Sequence, residues 1–398
     1  MKGYRVWAEI NLGQLKENLL ELVARVGPAV KVLVVVKADA YGHGAVPVAR
    51  TVLENGATML GVGDSNEAIQ LRQSGILAPI LILGALIEEE IGWIVSYDIT
   101  PTIHSMDLVA LLNDEARRQN KRLKVHLKVD TGLTRLGASP KRAVEIAHKI
   151  VASPHLVLEG LSTHFAASAD PKEKPFTERQ VAVFTEVVQQ LEQSGIQIPL
   201  KHIANTGGIY QFPNSYLNMV RPGGMIYGID PGSLCKGCGI KFNSILALKS
   251  QITFIKTVPA GTSVGYGMTY RTKKRSRIAT IPIGYNDGYP YHLANKGVVL
   301  IQGRRIPVVG HISMDYITVD ITGLNGVHTV RSNPEGVVPS RQGGTGRTSN
   351  GVKVGEEVVL IGQQGQEEIR VEELGRLTDT LPYVITCGLG KRVHRVYL

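Results

Sequence analysis

Between residues 31 and 228 the chain repeats one pattern eight times: a short apolar run, a turn, then a longer amphipathic stretch. The runs are KVLVVVKA (31–38), TMLGVGD (58–64), PILILGA (79–85), DITPTIH (98–104), LKVHLKVD (123–130), LVLEGLSTH (156–164), LKHIANT (200–206) and NMVRPGGMIYG (218–228). Between them lie helical segments such as MDLVALLNDEARRQN (106–120) and PFTERQVAVFTEVVQQLEQSG (175–195). In the latter, Val181, Phe184, Val188 and Leu191 recur at helical spacing and Gly195 supplies a stop. Strands alternating with helices predict parallel βαβ units, and eight such units close an α/β barrel of the (β/α)8, TIM type. A doubly wound open sheet is the alternative.

Near residue 240 the helical period gives way to β-rich runs, among them KSQITFIKTV, RIATIPIGY, GVVLIQGRRIPVVG and EEVVLIG. The expected division is therefore a barrel over residues 1–238 and an all-β domain over 239–398, a partition that 398 residues accommodate. Within the second part, residues 328–352 are rich in Gly, Ser, Arg and Pro, which predicts a mobile surface loop. No apolar run is long enough for a membrane span, and Glu9, Asn11 and Lys16 break any leader-like core, so a cytoplasmic location is expected. The formal charge is +10, but its one cluster, RTKKRSR (271–277), lacks a nucleic-acid module and reads as a solvated hairpin. Of three cysteines, Cys235 and Cys238 have metal-like spacing without a second pair, and with Cys387 they read as reduced thiols, with no metal site.

The apolar runs end in polar residues: Lys37, Asp64, Lys128 with Asp130, His164, Asn205 with Thr206, and Arg221. Each alone has a plain explanation, such as a helix cap, a rim ion pair or a satisfied core histidine. Together, at the C-terminal end of one barrel, they mark an active site. A lysine at a dry strand end loses proton affinity and becomes an amine nucleophile suited to a Schiff base. ANTGG (204–208) and RPGG (221–224) add hydroxyl and glycine amides suited to an anion. Pyridoxal phosphate fits these parts, and so does an aldolase or phosphate-sugar enzyme.

With those residues in place, nearly the whole chain outside 328–352 resembles the alanine racemases, fold-type III pyridoxal-phosphate enzymes. VVKADAYGHG is similar to the family's cofactor-attachment segment, which implies that Lys37 binds the cofactor and Tyr41 its phosphate. HLKVDTGLTRLG implies a substrate-binding Arg135 and, at Lys128, a lysine carbamylated in some members. STHFA, HIANTGG and MVRPGGMIYG supply His164, then Asn205 and Thr206, then Arg221, Gly223 and Gly224. VGYGMTY implies a second catalytic base at Tyr266, contributed by the partner in a homodimer, and HISMDYITVD a carboxylate-binding amide at Met314. The resemblance thus implies racemisation of L-alanine to D-alanine by Lys37 and Tyr266 on opposite faces, feeding peptidoglycan synthesis. His164 and Arg221 would tune Tyr266, and Arg221 would face the pyridine nitrogen. His43 reads as structural.

Two departures stand out. CGLGKRVHRVYL puts Lys391 where the family usually has a phosphate-contacting tyrosine, and Ser313 precedes Met314 where cysteine is common. A decarboxylase of the same architecture is the enzymatic rival, against which Arg221 speaks. A barrel-only cofactor carrier is the other, and it would lack the β domain.

Overall fold

The structure is a computed structural model and describes residues 3–230, 242–324 and 351–398. The proposed 238/239 boundary, Cys235, Cys238 and residues 328–350 of the expected loop lie outside the described residues. The chain forms two compact units. One comprises Ile10–Leu246, Leu381–Cys387 and Tyr397–Leu398, and the other Met1–Glu9, Ala247–Thr380 and Gly388–Val396.

The first strand, β1 (Val6–Ile10), is followed by helix α1 (Leu12–Val26), whose start Asn11 caps by accepting from the Gln14 amide. Then come the eight barrel strands: β2 (Lys31–Val35), β3 (Met59–Val62), β4 (Ile80–Ile82), β5 (Thr102–Ile103), β6 (Leu123–Lys128), β7 (Leu156–Ser162), β8 (Leu200–His202) and β9 (Met219–Val220). All pair in parallel, in the orders β4-β3-β2-β9 and β5-β6-β7-β8. A parallel bridge from Leu81 to Thr100 joins β4 to the approach of β5. The Arg221 amide donates to Ala204 O at 2.9 Å, joining the ends of β8 and β9. Because β9 returns to pair with β2, the sheet is closed and the open-sheet alternative is excluded. Val32, Leu33, Val34 and Val35 are all buried, as in a strand covered on both faces by core and helices. Helices Met106–Arg118, Pro140–Val151 and Lys174–Gln193 set Leu112, Ile146, Phe184 and Leu191 against Val125 and Leu127.

The other unit is built on antiparallel strands. Its main sheet runs Arg304–Pro307, Val298–Ile301, Glu357–Gln364, Leu246–Gln251, β1 and His394–Tyr397. A second sheet pairs Phe254–Val258, Ser276–Ile281 and Ile317–Asp320. The basic cluster at 271–277 is no hairpin of its own: it spans a strand end, an exposed turn and the start of Ser276–Ile281. Among the described residues no helix is long and apolar enough to cross a membrane.

Candidate active site

The barrel unit contains a cavity of about 920 Å³ lined from the C-terminal ends of all eight strands. Lys37 stands at its first strand. It opens a short turn, α2 (Lys37–Tyr41), in which Ala38, Asp39, Ala40 and Tyr41 have φ of 52°, 52°, 53° and 57°. Four left-handed non-glycine residues in succession cost about 1–2 kcal/mol each, so the surroundings must hold them. Glu67 does so from below, its carboxylate accepting from the Ala38 amide at 2.6 Å and the Gly63 amide at 2.7 Å. Asp39 accepts from the Ala45 amide, and His43 is buried, bonded to Ala40 O and stacked on Tyr227, as a structural residue should be. The expectation of a dry Lys37 needs correction. Burial ends at Val36, because the turn lifts the lysine clear of the strand, and Lys37 is exposed at the cavity. Asp64 caps the helix Ser65–Gln73 and has no place in the cavity lining.

Opposite lies an anion cradle. A Cβ on Gly223 would stand 2.6 Å from the Tyr41 hydroxyl, and one on Gly224 would collide with the Tyr383 hydroxyl. The amides of Thr206, Gly207 and Gly224 have no acceptor among the described residues. Asn205 is the N-cap of helix Thr206–Gln211, accepting from the Gly208 amide and from Ser168 Oγ. Burial and the nearby Cys387 push the Tyr41 phenol up, so it stays a neutral donor. Unbonded amides, with phenol hydroxyls beside them, at glycines that admit no side chain fit a phosphate monoester. With a lysine across the cavity, the residues present fit pyridoxal phosphate.

The third wall is cationic. Arg221 is buried; Nη1 meets His202 O and Nδ1 (both 2.8 Å), and the two N–H bonds of Nη2 are shared among Thr163 O (2.7 Å), Ile203 O (2.9 Å) and His164 Nδ1 (3.2 Å). Its Nε has no acceptor among the described residues, and the side chain lines the cavity. Burial lowers its pKa to about 10, which leaves it a cation at neutral pH. His164 is held well below the usual histidine range by burial, then by Arg221, Lys128, Arg135 and Lys37. Lys128 falls to about 8, first through burial, then through Arg221, Arg135 and Lys37, with Asp130 opposing. A rim ion pair between Lys128 and Asp130, the plain alternative to a functional role, is not formed: Asp130 instead accepts from the amides of Gly132 and Thr134.

The cavity therefore gathers Lys37, Tyr41, Lys128, Arg135, His164, Asn205, Thr206, Arg221, Gly223 and Gly224. Tyr266, Met314 and Lys391 belong to the other unit. Tyr266 is 75% exposed there. The Met314 amide has no acceptor among the described residues, while Ser313 O and Met314 O accept from the amides of Tyr285 and Asn286. Arg392 ties Asp315 to Asp287 at 2.7 and 3.0 Å, fixing the segment. In the C-terminal tail it is Tyr383 and Cys387, on helix Pro382–Cys387, that line the cavity, and Lys391 does not. Sequence reasoning missed Tyr383, Glu67 and His202; a tyrosine at the start of an apolar helix in the tail was the one available signal.

Comparison with known proteins agrees with this geometry. Residues 10–231 match the family model "Alanine racemase, N-terminal domain" and residues 245–397 "Alanine racemase, C-terminal domain". The chain is 41% identical over 399 residues to an alanine racemase of Methanococcus maripaludis, covering 100% of both chains. It superposes on the alanine racemase of Clostridium difficile 630 with a TM-score of 0.88 at 32% identity, covering 100% of this chain and 97% of that one. It also superposes on the alanine racemase of Bartonella henselae with covalently bound pyridoxal phosphate, with a TM-score of 0.82 at 28% identity and full coverage of both. The chain belongs to the alanine racemase family of enzymes.

Proposed function

We propose that the cavity holds pyridoxal 5'-phosphate on Lys37 and that the enzyme interconverts L- and D-alanine with two bases, the second being Tyr266 of the partner subunit in a homodimer. The observation that carries this reading is Arg221. Its four terminal N–H groups are committed to the barrel, so only Nε–H remains for a ligand. When bound, pyridoxal phosphate supplies an electron sink that acidifies the α-carbon of an amino acid joined to its aldehyde carbon. An arginine at the ring nitrogen donates a hydrogen bond without giving up its proton, which keeps the sink weak. A weak sink favours prompt return of the α-proton, hence racemisation over transamination. A decarboxylase would place a carboxylate there.

Tyr41, Tyr383 and the amides of Thr206, Gly207 and Gly224 anchor the phosphate. Lys37 Nζ moves a proton at one face of the α-carbon and the Tyr266 hydroxyl at the other. The cations around His164 are the environment that would draw a neighbouring phenol towards its ionised form. Arg135 and the Met314 amide receive the substrate carboxylate. The amine at Lys128, with its lowered proton affinity, is suited to carbamylation, and the resulting anion would sit among Arg135, Arg221 and Lys37. The reading carries with it a cytoplasmic enzyme supplying D-alanine for peptidoglycan.

The test is proton exchange in deuterated water. With both bases, each enantiomer exchanges its α-hydrogen while inverting. Tyr266→Phe should exchange one enantiomer with retention and invert neither. Undiminished inversion by that variant would refute the two-base assignment.

A further inference from the structure

Behind Arg221 a line of polar side chains runs through the barrel interior, where apolar residues are the norm. His202 on β8 and His126 on β6 are both fully buried. Between them, β7 carries a bulge: Val125 pairs with Leu158 and His126 with Gly160, so Glu159 has no partner across the ladder. A bulge turns a strand residue away from its regular face, and here it leaves the carboxylate within reach of His126. Gly160 leaves room for the ring, since a Cβ there would stand 2.5 Å from His126 Nδ1.

The hydrogen positions along this line follow from valence alone. A guanidinium only donates, so His202 Nδ1, 2.8 Å from Arg221 Nη1, must accept. His202 then carries its hydrogen on Nε2, 2.9 Å from His126 Nδ1, which must accept in turn. His126 then carries its hydrogen on Nε2, facing Glu159 Oε2 at 3.5 Å, and neither atom has a formed hydrogen bond among the described residues, so each is the other's nearest polar neighbour along this line. The other oxygen, Oε1, is 2.7 Å from Lys124 Nζ, whose side chain is largely solvent-exposed. A second hydrogen on either imidazole would set N–H against N–H. Burial, first among the causes, lowers the pKa of both histidines, which agrees with two neutral rings.

We propose that Glu159 and His126 are positioning residues for the reaction: with His202 they form a one-way buried relay whose two ends, a guanidinium that only donates and a carboxylate that only accepts, together hold both imidazoles in the Nε2–H form, so that His202 always offers Arg221 an acceptor. This holds Nη1 against the barrel and keeps Nε–H as the single donor for a ligand. Without an acceptor at the Glu159 end, His126 gains nothing from its Nε2–H. The reverse setting, with both hydrogens on Nδ1, then competes and points an N–H at the guanidinium. The inference rests on the reading that Arg221 meets the cofactor ring nitrogen.

The test uses the full-length holoenzyme with ¹⁵N-labelled histidine, the two rings being assigned through His126→Asn and His202→Asn. Both should appear as neutral Nε2–H tautomers in the unsubstituted protein. Glu159→Gln, whose carbonyl still accepts, should retain them. Glu159→Leu should give mixed tautomers and lower kcat roughly tenfold, the scale at which outer partners of an oriented imidazole act, with KM changed by less than about twofold. An Nδ1–H or imidazolium form of His202 in the unsubstituted protein overturns the relay, and needs no variant to fold. So does a Glu159→Leu protein with unchanged tautomers and kcat, or a Glu159→Gln protein that loses the Nε2–H pattern. The underlying reading fails separately: if Arg221→Lys leaves the absorption band of bound pyridoxal phosphate unmoved, Arg221 does not meet the ring, whatever the tautomers.

Discussion

Lys128 is a buried amine facing three cations, and removing it should make the protein more stable. The residue is 7% exposed, and its pKa falls from the ordinary 10.5 to about 8. Below pH 8 the folded state must carry a proton that the unfolded chain holds more tightly. At about 1.4 kcal/mol per pH unit that difference costs about 3 kcal/mol of stability. The cost is fully present below pH 8, is relieved as pH rises from 8 to 10.5, and is absent above. Lys128→Met keeps the shape and drops the charge, so at pH 7, in bicarbonate-free buffer, it should stabilise by up to about 3 kcal/mol. The advantage should shrink towards pH 10. Carbamylation reverses the electrostatics, since an anion among Arg135, Arg221 and Lys37 is attracted rather than repelled. Added bicarbonate should therefore stabilise the unsubstituted protein and leave the variant unaffected. Urea denaturation followed by circular dichroism at pH 7 and pH 10, with and without bicarbonate, reads all four corners. A variant less stable at pH 7 without bicarbonate, or an advantage indifferent to pH, would refute the reasoning.

Ala38→Gly relieves one left-handed alanine on an exposed turn and should raise stability by about 1 kcal/mol, read as the urea midpoint of the cofactor-free protein. Gly224→Ala puts a methyl group onto the Tyr383 hydroxyl and should weaken pyridoxal phosphate binding while leaving the far-ultraviolet circular dichroism unchanged; equilibrium titration of the cofactor checks it. Asn205→Ala removes the cap of Thr206–Gln211 and the acceptor for Ser168, and should cost about 1–2 kcal/mol, measured by the same denaturation.

The barrel could be read from the chain because its strands are buried on both faces, and unbroken runs such as Val32–Val36 carry that signal without an alignment. The polar residues closing those runs were legible for the same reason, since Arg221 or His164 in such a place is costly unless used. What escaped the reading depends on backbone direction rather than composition. Ala38, Asp39 and Ala40 have no preference for positive φ, so the left-handed turn that lifts Lys37 out of the core is invisible in ADAY. Glu159 sits within an apolar run that looks regular, and only the pairing register shows that it is the bulged residue. Tyr383 lies far along the chain from Gly224, the glycine it meets, on a helix too short to be marked by periodicity.

The central claim is that the cavity around Lys37 racemises alanine with pyridoxal phosphate. The direct measurement is chiral separation of the products after the cofactor-loaded protein and its Lys37→Ala variant are each incubated with L-alanine. The account predicts an approach to equal D- and L-alanine with the unsubstituted protein and no D-alanine with the variant. No D-alanine from the loaded protein, or undiminished D-alanine from Lys37→Ala, would contradict it.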